Sequence, residues 1–191
     1  MAVPSKKPKA VKAHITRLEM TAPPHQSLSL PSNLNVALMR VEKIPAAYYR
    51  YLYLQVGQRW HWVDRLRMSG EALEKLLHDP RSHITVLYVD GAPAGFAEYF
   101  QTDSDTIELC HFGLMEHALG LGVGKWFLLQ VLYGIWGLEP KTVTVTTNTL
   151  DHPRALQLYQ MFGFNPVATS DALVRPLSDE ELLSLMRPAK A

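Results

Sequence analysis

The chain has 191 residues, of which 19 are Lys or Arg and 18 are Asp or Glu, so its formal net charge is only +1. This near-neutral balance disfavours a broad nucleic-acid-binding surface. A single cysteine, Cys110, excludes an internal disulfide framework and a multi-cysteine zinc site. No apolar stretch reaches the roughly 20 residues that a membrane-spanning helix needs. We therefore expect a soluble, cytoplasmic protein with no membrane contact.

The charges are unevenly distributed along the chain. Residues 1–26 contain five basic residues and one acidic residue, together with four prolines and few apolar side chains. This composition is typical of disorder, and a basic arm for anionic partners is the alternative. We expect residues 1–26 to form a flexible basic tail and residues 27–191 to form a single domain.

Hydrophobic periodicity and turn residues predict the elements in chain order. A strand at 34–44 precedes two helices, at 45–56 and at 71–77, and Ser69 is the N-cap of the second helix. Three strands follow as an antiparallel meander, at 84–89, 95–100 and 106–115, with a hairpin turn at Asp90-Gly91. The remaining predicted elements are a helix to about Trp136, a strand at 141–147 parallel to a neighbour, a helix ended by Gly163, short strands at 164–167 and 172–174, and a helix at 177–186 capped by Ser178. This order predicts an α+β fold around one mixed sheet.

Three alternating glycines, Gly120, Gly122 and Gly124, stand where the long helix begins. The first N–H groups of a helix lack intrahelical partners, and glycine allows an anion to approach them closely. Two well-known phosphate motifs do not fit: Leu119 replaces the first glycine of a P-loop, and Lys125 replaces the third glycine of a dinucleotide fingerprint. The pattern leaves a phosphate-binding loop and ordinary turn chemistry as the two interpretations.

The run from Leu119 to Gly124, after the strand at 107–115, resembles the acetyl-CoA loop of the GNAT superfamily of N-acetyltransferases, whose pattern is Q/R-x-x-G-x-G/A. Leu119 stands where that family usually has Gln or Arg. Asn148 and the run 153–164 resemble the second family motif, N…A-x-x-L-Y-x-x-x-G-F. The resemblance covers about residues 84–167. It implies a GNAT-like mixed, mainly antiparallel sheet flanked by helices, with a splayed strand pair that binds acetyl-CoA.

The resemblance also implies the function and the coenzyme site. The protein would be an acetyl-CoA-dependent N-acetyltransferase, with acetyl-CoA as the acyl-donor cosubstrate. Backbone N–H groups of the glycine loop would bind the pyrophosphate, one strand would pair with the pantetheine arm, and two polar side chains would lie near the thioester sulfur. The implied coenzyme-binding residues are Phe112, Gly113, Leu114, Leu119, Gly120, Leu121, Gly122, Val123, Gly124, Lys125, Asn148, Ala155 and Tyr159.

Acetyl transfer to an amine needs a base, because only about one alkyl amine in a thousand is unprotonated at neutral pH. Glu108 is the predicted general base, because a carboxylate inside an apolar strand is costly unless it is used or paired. Strand alternation places it on one face with Cys110, Phe112 and Leu114. Its distance from the glycine loop matches the base glutamate of the family's histone-type members, although a structural ion pair explains it nearly as well. Tyr159 is the predicted general acid, and a packed helix tyrosine is the alternative.

The acceptor is predicted to be a small-molecule amine, with a peptide or protein amine left open. The candidate acceptor-binding residues are Tyr49, Tyr53, Trp60, Trp62 and His111, and core packing is the alternative for the aromatic ones. His111 is also an alternative base. Direct transfer is expected rather than an acyl-cysteine on Cys110, and no spacing suggests a metal site. A non-catalytic acyl-CoA-binding module is the rival function, and a monomer and a homodimer both remain open.

Overall fold

The computed structural model describes residues 8–186, which form a seven-stranded sheet flanked by helices. The strands are β1 (Val11–Met20), β2 (Val36–Val41), β3 (Ser82–Val89), β4 (Ala92–Gln101), β5 (Thr106–Leu114), β6 (Thr142–Asn148) and β7 (Asn165–Val174). The helices are α1 (Ala46–Gly57), α2 (Asp64–Arg67), α3 (Gly70–Leu77), α4 (Val123–Trp136), α5 (Ala155–Met161) and α6 (Asp179–Met186). None of the helices in this part of the chain is long and apolar enough to cross a membrane.

The sheet order is β2-β3-β4-β5-β6-β1-β7, and every neighbouring pair is antiparallel except β5 and β6, which are parallel. The predicted α+β fold, with a mixed and mainly antiparallel sheet, is therefore confirmed. The parallel pair arises because α4 connects β5 to β6 as a crossover. Consecutive antiparallel strands need only short turns, and β3, β4 and β5 form the predicted meander.

Local turn and cap chemistry fixes several element boundaries as predicted. Asp90 and Gly91 have φ values of 49° and 85°, the left-handed conformation that a tight hairpin turn requires. Ser69 Oγ accepts a hydrogen bond of 3.2 Å from the Ala72 N–H at the start of α3. Ser178 and Glu181 form a reciprocal pair at the start of α6, in which each side chain accepts from the other's backbone N–H.

Two apolar clusters cover the two faces of the sheet. The first joins α4 and α5 to one face and includes Phe127, Leu132 and Val145. The second joins α1, α2 and α3 to the opposite face and includes Leu52 and Phe96. Because both faces of the central strands are covered by helices, a polar side chain on these strands is buried unless the sheet opens.

The structure differs from the predicted tail at residues 11–20. They form β1, which lies between β6 and β7 and buries Ala13, Leu18 and Met20. The prediction of a flexible segment over residues 1–26 is therefore wrong for this stretch, whereas residues 1–7 lie outside the described part of the chain. A register shift between Arg17 and Leu18 changes which side chains face the core: the buried positions are odd-numbered before the shift, as at Ala13, and even-numbered after it, as at Leu18 and Met20. This shift obscures the period of two, and the exposed Lys12 adds to the basic composition.

The segment after α5 is a second difference. The two short strands predicted at 164–167 and 172–174 are one continuous strand, β7, at the edge of the sheet. Most of its side chains are exposed, so the sequence lacks the apolar alternation that marks a half-buried strand.

Candidate active site

A cleft opens between β5 and β6. The two strands are paired from Thr106 opposite Thr142 to Leu109 opposite Val145, and the pairing ends there. Both strands continue beyond this point, β5 to Leu114 and β6 to Asn148. The backbone of β5 after Leu109 therefore has an edge that β6 does not cover, in the region where the splayed strand pair was predicted.

The glycine loop lies at the same end of the sheet as this cleft. Gly120 and Gly122 have φ values of 83° and 80°, and Gly122 is the N-cap of α4. A Cβ on Gly124 would lie 3.3 Å from Leu114 Cδ1, so the helix start packs closely against the end of β5. Among residues 8–186, no acceptor outside the helix binds the backbone N–H groups of residues 121–125. The loop thus presents free donors and the positive end of the α4 dipole beside the cleft.

A bulge in β5 changes which side chains share a face. Glu98 of β4 is opposite His111 and Tyr99 is opposite Leu109, so Cys110 is an extra residue without a partner. The predicted common face for Glu108, Phe112 and Leu114 is therefore wrong. Phe112 and Leu114 pack on the α4 side, with the Phe112 and Phe127 ring centroids 5.1 Å apart. The pairing puts Glu108 on the opposite face, together with Glu98 and His111.

Glu98 is the most deeply buried charge of the site, with 1% of its surface exposed. Its carboxylate accepts hydrogen bonds from the Tyr49 hydroxyl, from Arg65 Nη2 at 2.8 Å and from His111 Nδ1 at 2.9 Å. Burial by itself raises the pKa of Glu98, but His111, Arg65 and the Tyr49 hydroxyl together lower it to about 2. The residue is therefore an anion at neutral pH.

Glu98 is not among the site residues predicted from the sequence, although the sequence contains a usable signal for it. The argument that selected Glu108, a carboxylate within an apolar strand, applies equally to Glu98 in the run from Ala92 to Gln101. Nothing in the sequence identifies Tyr49 and Arg65 as its partners, because both come from helices far earlier in the chain.

His111 stands at the open part of β5 in a defined orientation. Its ring lies against the edges of Tyr53 and Trp62, at centroid distances of 4.9 and 5.0 Å, while Nδ1 binds Glu98. The side chain is 16% exposed. Within residues 8–186, Nε2 has no hydrogen-bond partner, and it is not among the fully enclosed polar atoms. This nitrogen therefore faces accessible space.

Asp151 organises the opposite wall of the cleft, at the end of β6. It accepts hydrogen bonds from the Thr147 hydroxyl at 2.8 Å, from the Asn148 backbone N–H at 3.0 Å and from Trp62 Nε1 at 3.2 Å. The Asn148 side chain accepts from the Leu150 N–H at 2.8 Å, so it takes part in the turn. Trp62 thus connects the His111 side of the cleft to the β6 side.

Tyr159 belongs to α5 and is 7% exposed. Its ring packs edge-on against Phe164, with the ring centroids 5.8 Å apart. The hydroxyl makes no hydrogen bond with any other described residue. Burial and then the charge of Asp151 raise the pKa of Tyr159 above its ordinary value, so the phenol is protonated at neutral pH. A protonated, unpaired hydroxyl near Asp151 can donate a proton.

Glu108 lies apart from the Glu98 group. It is half-buried and stands opposite Thr144, where β5 and β6 are still paired. It precedes His111 by three residues, one of which is the bulged Cys110. It lines a polar cavity of about 280 Å³, whose other lining residues are Arg17, Thr102, Asp103, Thr106, Thr144 and Thr146. No ion pair of Glu108 occurs among the described residues. The predicted base is thus accessible.

The aromatic residues of the predicted acceptor wall have different positions. Tyr49 and Tyr53 are fully buried in the core between α1 and β4, so their assignment to an acceptor surface is wrong and the packing alternative holds. Trp60 and Trp62 are half-buried. Trp60 packs edge-on against His152, with centroids 5.3 Å apart, just beyond β6. The two tryptophans therefore remain near the cleft.

The remaining residues of the predicted coenzyme site surround the cleft. Ala155 is the first residue of α5, and Leu119 and Leu121 are exposed beside the glycine loop. Burial and the nearby carboxylates raise the pKa of the Cys110 thiol far above its ordinary value, so it is not a thiolate at neutral pH. No group of three or more His, Cys, Asp or Glu within residues 8–186 is arranged to hold a metal ion.

A parted strand pair beside a glycine-rich helix start, within this α+β sheet, defines a GNAT-like fold. Residues 41–164 match the model of the acetyltransferase (GNAT) family. This segment is more than half of the chain, so the chain belongs to the GNAT acetyltransferase family. Acetyl-CoA is the acyl donor typical of that family, and acetyl-CoA-dependent acetyl transfer is its enzyme class. The predicted family, fold, enzyme class and donor are confirmed at this level.

Solved structures agree on the fold. The chain is similar to an IAA acetyltransferase from Bacillus cereus, with 23% identity, 70% coverage of this chain, 79% of that chain and a TM-score of 0.54. It is also similar to a GNAT acetyltransferase from Elizabethkingia anophelis with acetyl-CoA bound, with 18% identity, 72% coverage of this chain, 80% of that chain and a TM-score of 0.53. For a functionally unknown protein from Staphylococcus epidermidis, the identity is 13%, the coverage is 87% of this chain and 62% of that chain, and the TM-score is 0.54.

The S. epidermidis protein and three further similar structures are longer, and the chain spans only 53% to 62% of their length. No curated protein is significantly similar to the chain in sequence. These structural likenesses, none above 23% identity, establish the fold alone.

Proposed function

We propose that this chain transfers the acetyl group of acetyl-CoA directly to a primary amine of a small molecule. The observation that carries this proposal is the glycine loop, whose free N–H groups lie beside the opening between β5 and β6. An anion-binding helix start and an uncovered strand edge suit the two main parts of coenzyme A, its phosphates and its amide-containing arm. A peptide or protein amine is the alternative acceptor.

The coenzyme would lie along the cleft. Backbone N–H groups from Leu121 to Lys125 would bind the pyrophosphate, and the backbone around Phe112–Leu114 would pair with the pantetheine arm. Asn148 and Ala155 would contact it from the β6 side. The family relationship supports this placement. The E. anophelis structure of the same fold was solved with acetyl-CoA bound, which supports the choice of coenzyme.

Direct transfer requires a base for the amine and allows an acid for the sulfur. Tyr159 is a buried residue whose hydroxyl is protonated and unpaired among the described residues, which supports its role as the acid. Two residues are available as the base: Glu108, which faces the polar cavity, and His111, which faces the cleft. The raised pKa of the Cys110 thiol supports direct transfer over an acyl-cysteine intermediate. The reaction class does not depend on which base acts.

Coenzyme binding can be tested with two matched glycines. Gly120 in the loop and Gly91 in the β3–β4 hairpin have φ values of 83° and 85°, and a Cβ on either would meet no atom within 4 Å. Replacing either glycine by Ala therefore introduces the same backbone strain, about 1 to 2 kcal/mol. Calorimetric titration of coenzyme A should give a weaker Kd for Gly120→Ala than for the wild type or Gly91→Ala. Equal Kd values for the two variants would contradict the coenzyme site.

Turnover separates an enzyme from a non-catalytic acyl-CoA-binding module. Wild-type protein is mixed with acetyl-CoA and a panel of primary amines: an aliphatic diamine, an aromatic ethylamine, an amino acid and a lysine-containing peptide. Free-thiol release above the rate without amine is expected for at least one small-molecule amine. Coenzyme binding without amine-dependent thiol release would instead favour the binding module. Release with the peptide alone would move the acceptor to protein amines.

A further inference from the structure

We propose that His111 is the general base of this acetyl transfer and that Glu98 is the residue that positions it. The assignment rests on the proposed function, since it concerns the proton of an amine acceptor. It moves the base from Glu108, which the sequence favours, to a histidine whose orientation depends on a carboxylate of the neighbouring strand.

The position of His111 along β5 is the first argument. Pairing between β5 and β6 ends at Leu109 and Val145, so His111 is the second residue beyond the point where the cleft opens. Glu108 lies on the closed side of that point, opposite Thr144. An acceptor amine that meets a thioester within the cleft would therefore be closer to His111 than to Glu108.

The orientation of the ring is the second argument. Glu98 is ionised and can only accept, so the hydrogen bond of 2.9 Å places a proton on His111 Nδ1. The lone pair of a neutral imidazole then lies on Nε2, the nitrogen that faces accessible space. Tyr53 and Trp62 both pack against the ring and, together with the hydrogen bond to Glu98, hold its orientation. A general base needs this combination of a fixed tautomer and an accessible nitrogen.

The support of Glu98 is the third argument. A buried carboxylate bound only by His111 would be costly, but Arg65 Nη2 lies 2.8 Å away and Tyr49 donates its hydroxyl. His111, Arg65 and the Tyr49 hydroxyl together keep the carboxylate charged. When His111 accepts a proton, the resulting imidazolium lies beside a permanent anion, which stabilises the charge that forms during the reaction.

The proton and electron balance is simple. The amine lone pair attacks the thioester carbonyl carbon, and the carbonyl oxygen becomes an oxyanion. A proton moves from the amine nitrogen to His111 Nε2. The oxyanion collapses, the C–S bond breaks, and the sulfur leaves as coenzyme A thiol with a proton from the Tyr159 hydroxyl. The imidazolium then releases its proton through solvent, which restores neutral tyrosine and imidazole.

His111→Ala is the principal variant, and its effect is measured as kcat/KM with the amine that the wild type accepts best. We expect a loss of at least about 100-fold, since general bases contribute about 10² to 10⁴. Added imidazole should restore part of the activity, and the wild type with the same imidazole gives the background. His83→Ala is the matched control: His83 is also a buried strand histidine, stacked on Tyr99, and its loss should leave kcat/KM unchanged.

The split between kcat and KM tests the positioning role of Glu98. Glu98→Gln removes the anion that fixes the tautomer of His111 and lies beside the imidazolium, so kcat should fall while the KM for the amine hardly changes. Glu98→Asp keeps an anion at this place and should retain more of kcat than Glu98→Gln. His111→Gln, which keeps an amide at this place, supplies a second test if Glu98→Gln does not fold.

The outcomes are distinct. A wild type that releases no thiol with any amine contradicts the proposed function, and the assignment of the base is lost with it. A wild type that turns over, with His111→Ala or His111→Gln retaining more than about one tenth of its kcat/KM, overturns only the assignment. Loss of activity in Glu108→Gln, with His111 variants active, returns the base to Glu108. Unchanged coenzyme A binding in each variant shows that the fold and the cleft are intact.

Discussion

The two walls of the cleft are stabilised by different interactions. On the β5 wall, the buried anion Glu98 accepts hydrogen bonds from the guanidinium of Arg65 and from the imidazole of His111. On the β6 wall, Asp151 is bound by neutral donors, the Thr147 hydroxyl, a backbone N–H and the indole of Trp62. Loss of one charge should therefore destabilise the β5 wall, whereas Asp151 on the β6 wall forms no ion pair among the described residues.

The walls also differ in the distance along the chain over which they are assembled. The β5 wall is built on the β3-β4-β5 meander, whose neighbours in space are neighbours in sequence. The β6 wall depends on β1, where Ile15 is opposite Asn148. β1 lies outside residues 41–164, the segment that matches the family model. The segment that matches the family therefore supplies the β5 wall by itself and needs β1, an outlying strand, to complete the sheet beside the β6 wall.

Of the changes that distinguish the two walls, removal of β1 should have the largest effect on stability. Deleting residues 1–20 leaves β6 and β7 without their shared partner and exposes the core around Leu18 and Met20. We expect loss of cooperative thermal unfolding, followed by circular dichroism. Deleting only residues 1–7 keeps β1 complete and is the control. An unchanged Tm after deletion of residues 1–20 would mean that the β6 wall needs only β5 as a neighbour.

This strand also marks the limit of what the sequence could predict. The hairpin at Asp90-Gly91, the glycine loop and the cap at Ser69 are determined by residues within a few positions of one another, and all three are as predicted. β1 is different, because its pairing with β6 and β7 depends on residues more than a hundred positions away. Composition suggested a tail where long-range pairing makes a strand.

The candidate site shows the same limit within a single strand. Alternation places Glu108 correctly within β5 but fails beyond it, because the extra residue Cys110 reverses the face of everything that follows. His111 was therefore separated from Glu108, although they share a face. The residue-type argument found one glutamate in an apolar strand and missed the other, Glu98, whose partners come from α1 and α2.

Glu98→Gln should break the β5 wall and cause the second largest effect. The substitution leaves the Arg65 charge mostly buried without its anion, and breaking such a pair costs about 3 to 5 kcal/mol. Chemical denaturation at neutral pH measures this loss. Glu108→Gln is the matched control on the same face, because Glu108 has no ion pair within residues 8–186, and its loss should cost less than about 1 kcal/mol.

The pH dependence of the same pair of variants gives a sharper comparison. The pKa of Glu98 is lowered from its ordinary value of 4.5 to about 2, so its stabilising contribution is complete above 4.5. That contribution is lost as the pH falls from 4.5 toward 2, where the folded carboxylate takes up a proton. The Tm of the wild type should therefore fall more steeply across this window than that of Glu98→Gln. Parallel curves would contradict an ionised Glu98 and the charged character of the β5 wall.

Tyr159→Phe should have the smallest effect, because it changes the β6 side without disturbing its packing. The hydroxyl has no hydrogen-bond partner in the described part of the chain, so the ring can remain against Phe164 and the Tm should hardly change. Turnover should fall by about tenfold, less than the 10² to 10⁴ typical of general acid–base catalysis, because a thiol of pKa about 8.5 leaves readily as the thiolate.

The same reasoning predicts how this effect varies with pH and which variant controls it. Above about pH 8.5 the free thiolate is the stable product, so a proton donor gains little and the two proteins should converge in kcat. Tyr99→Phe removes the hydroxyl of another buried tyrosine, which stacks on His83 of β3, and kcat should be unchanged. A Tyr159→Phe defect that persists unchanged at high pH would assign Tyr159 to coenzyme positioning instead of proton donation, and it would then be accompanied by a higher KM for acetyl-CoA.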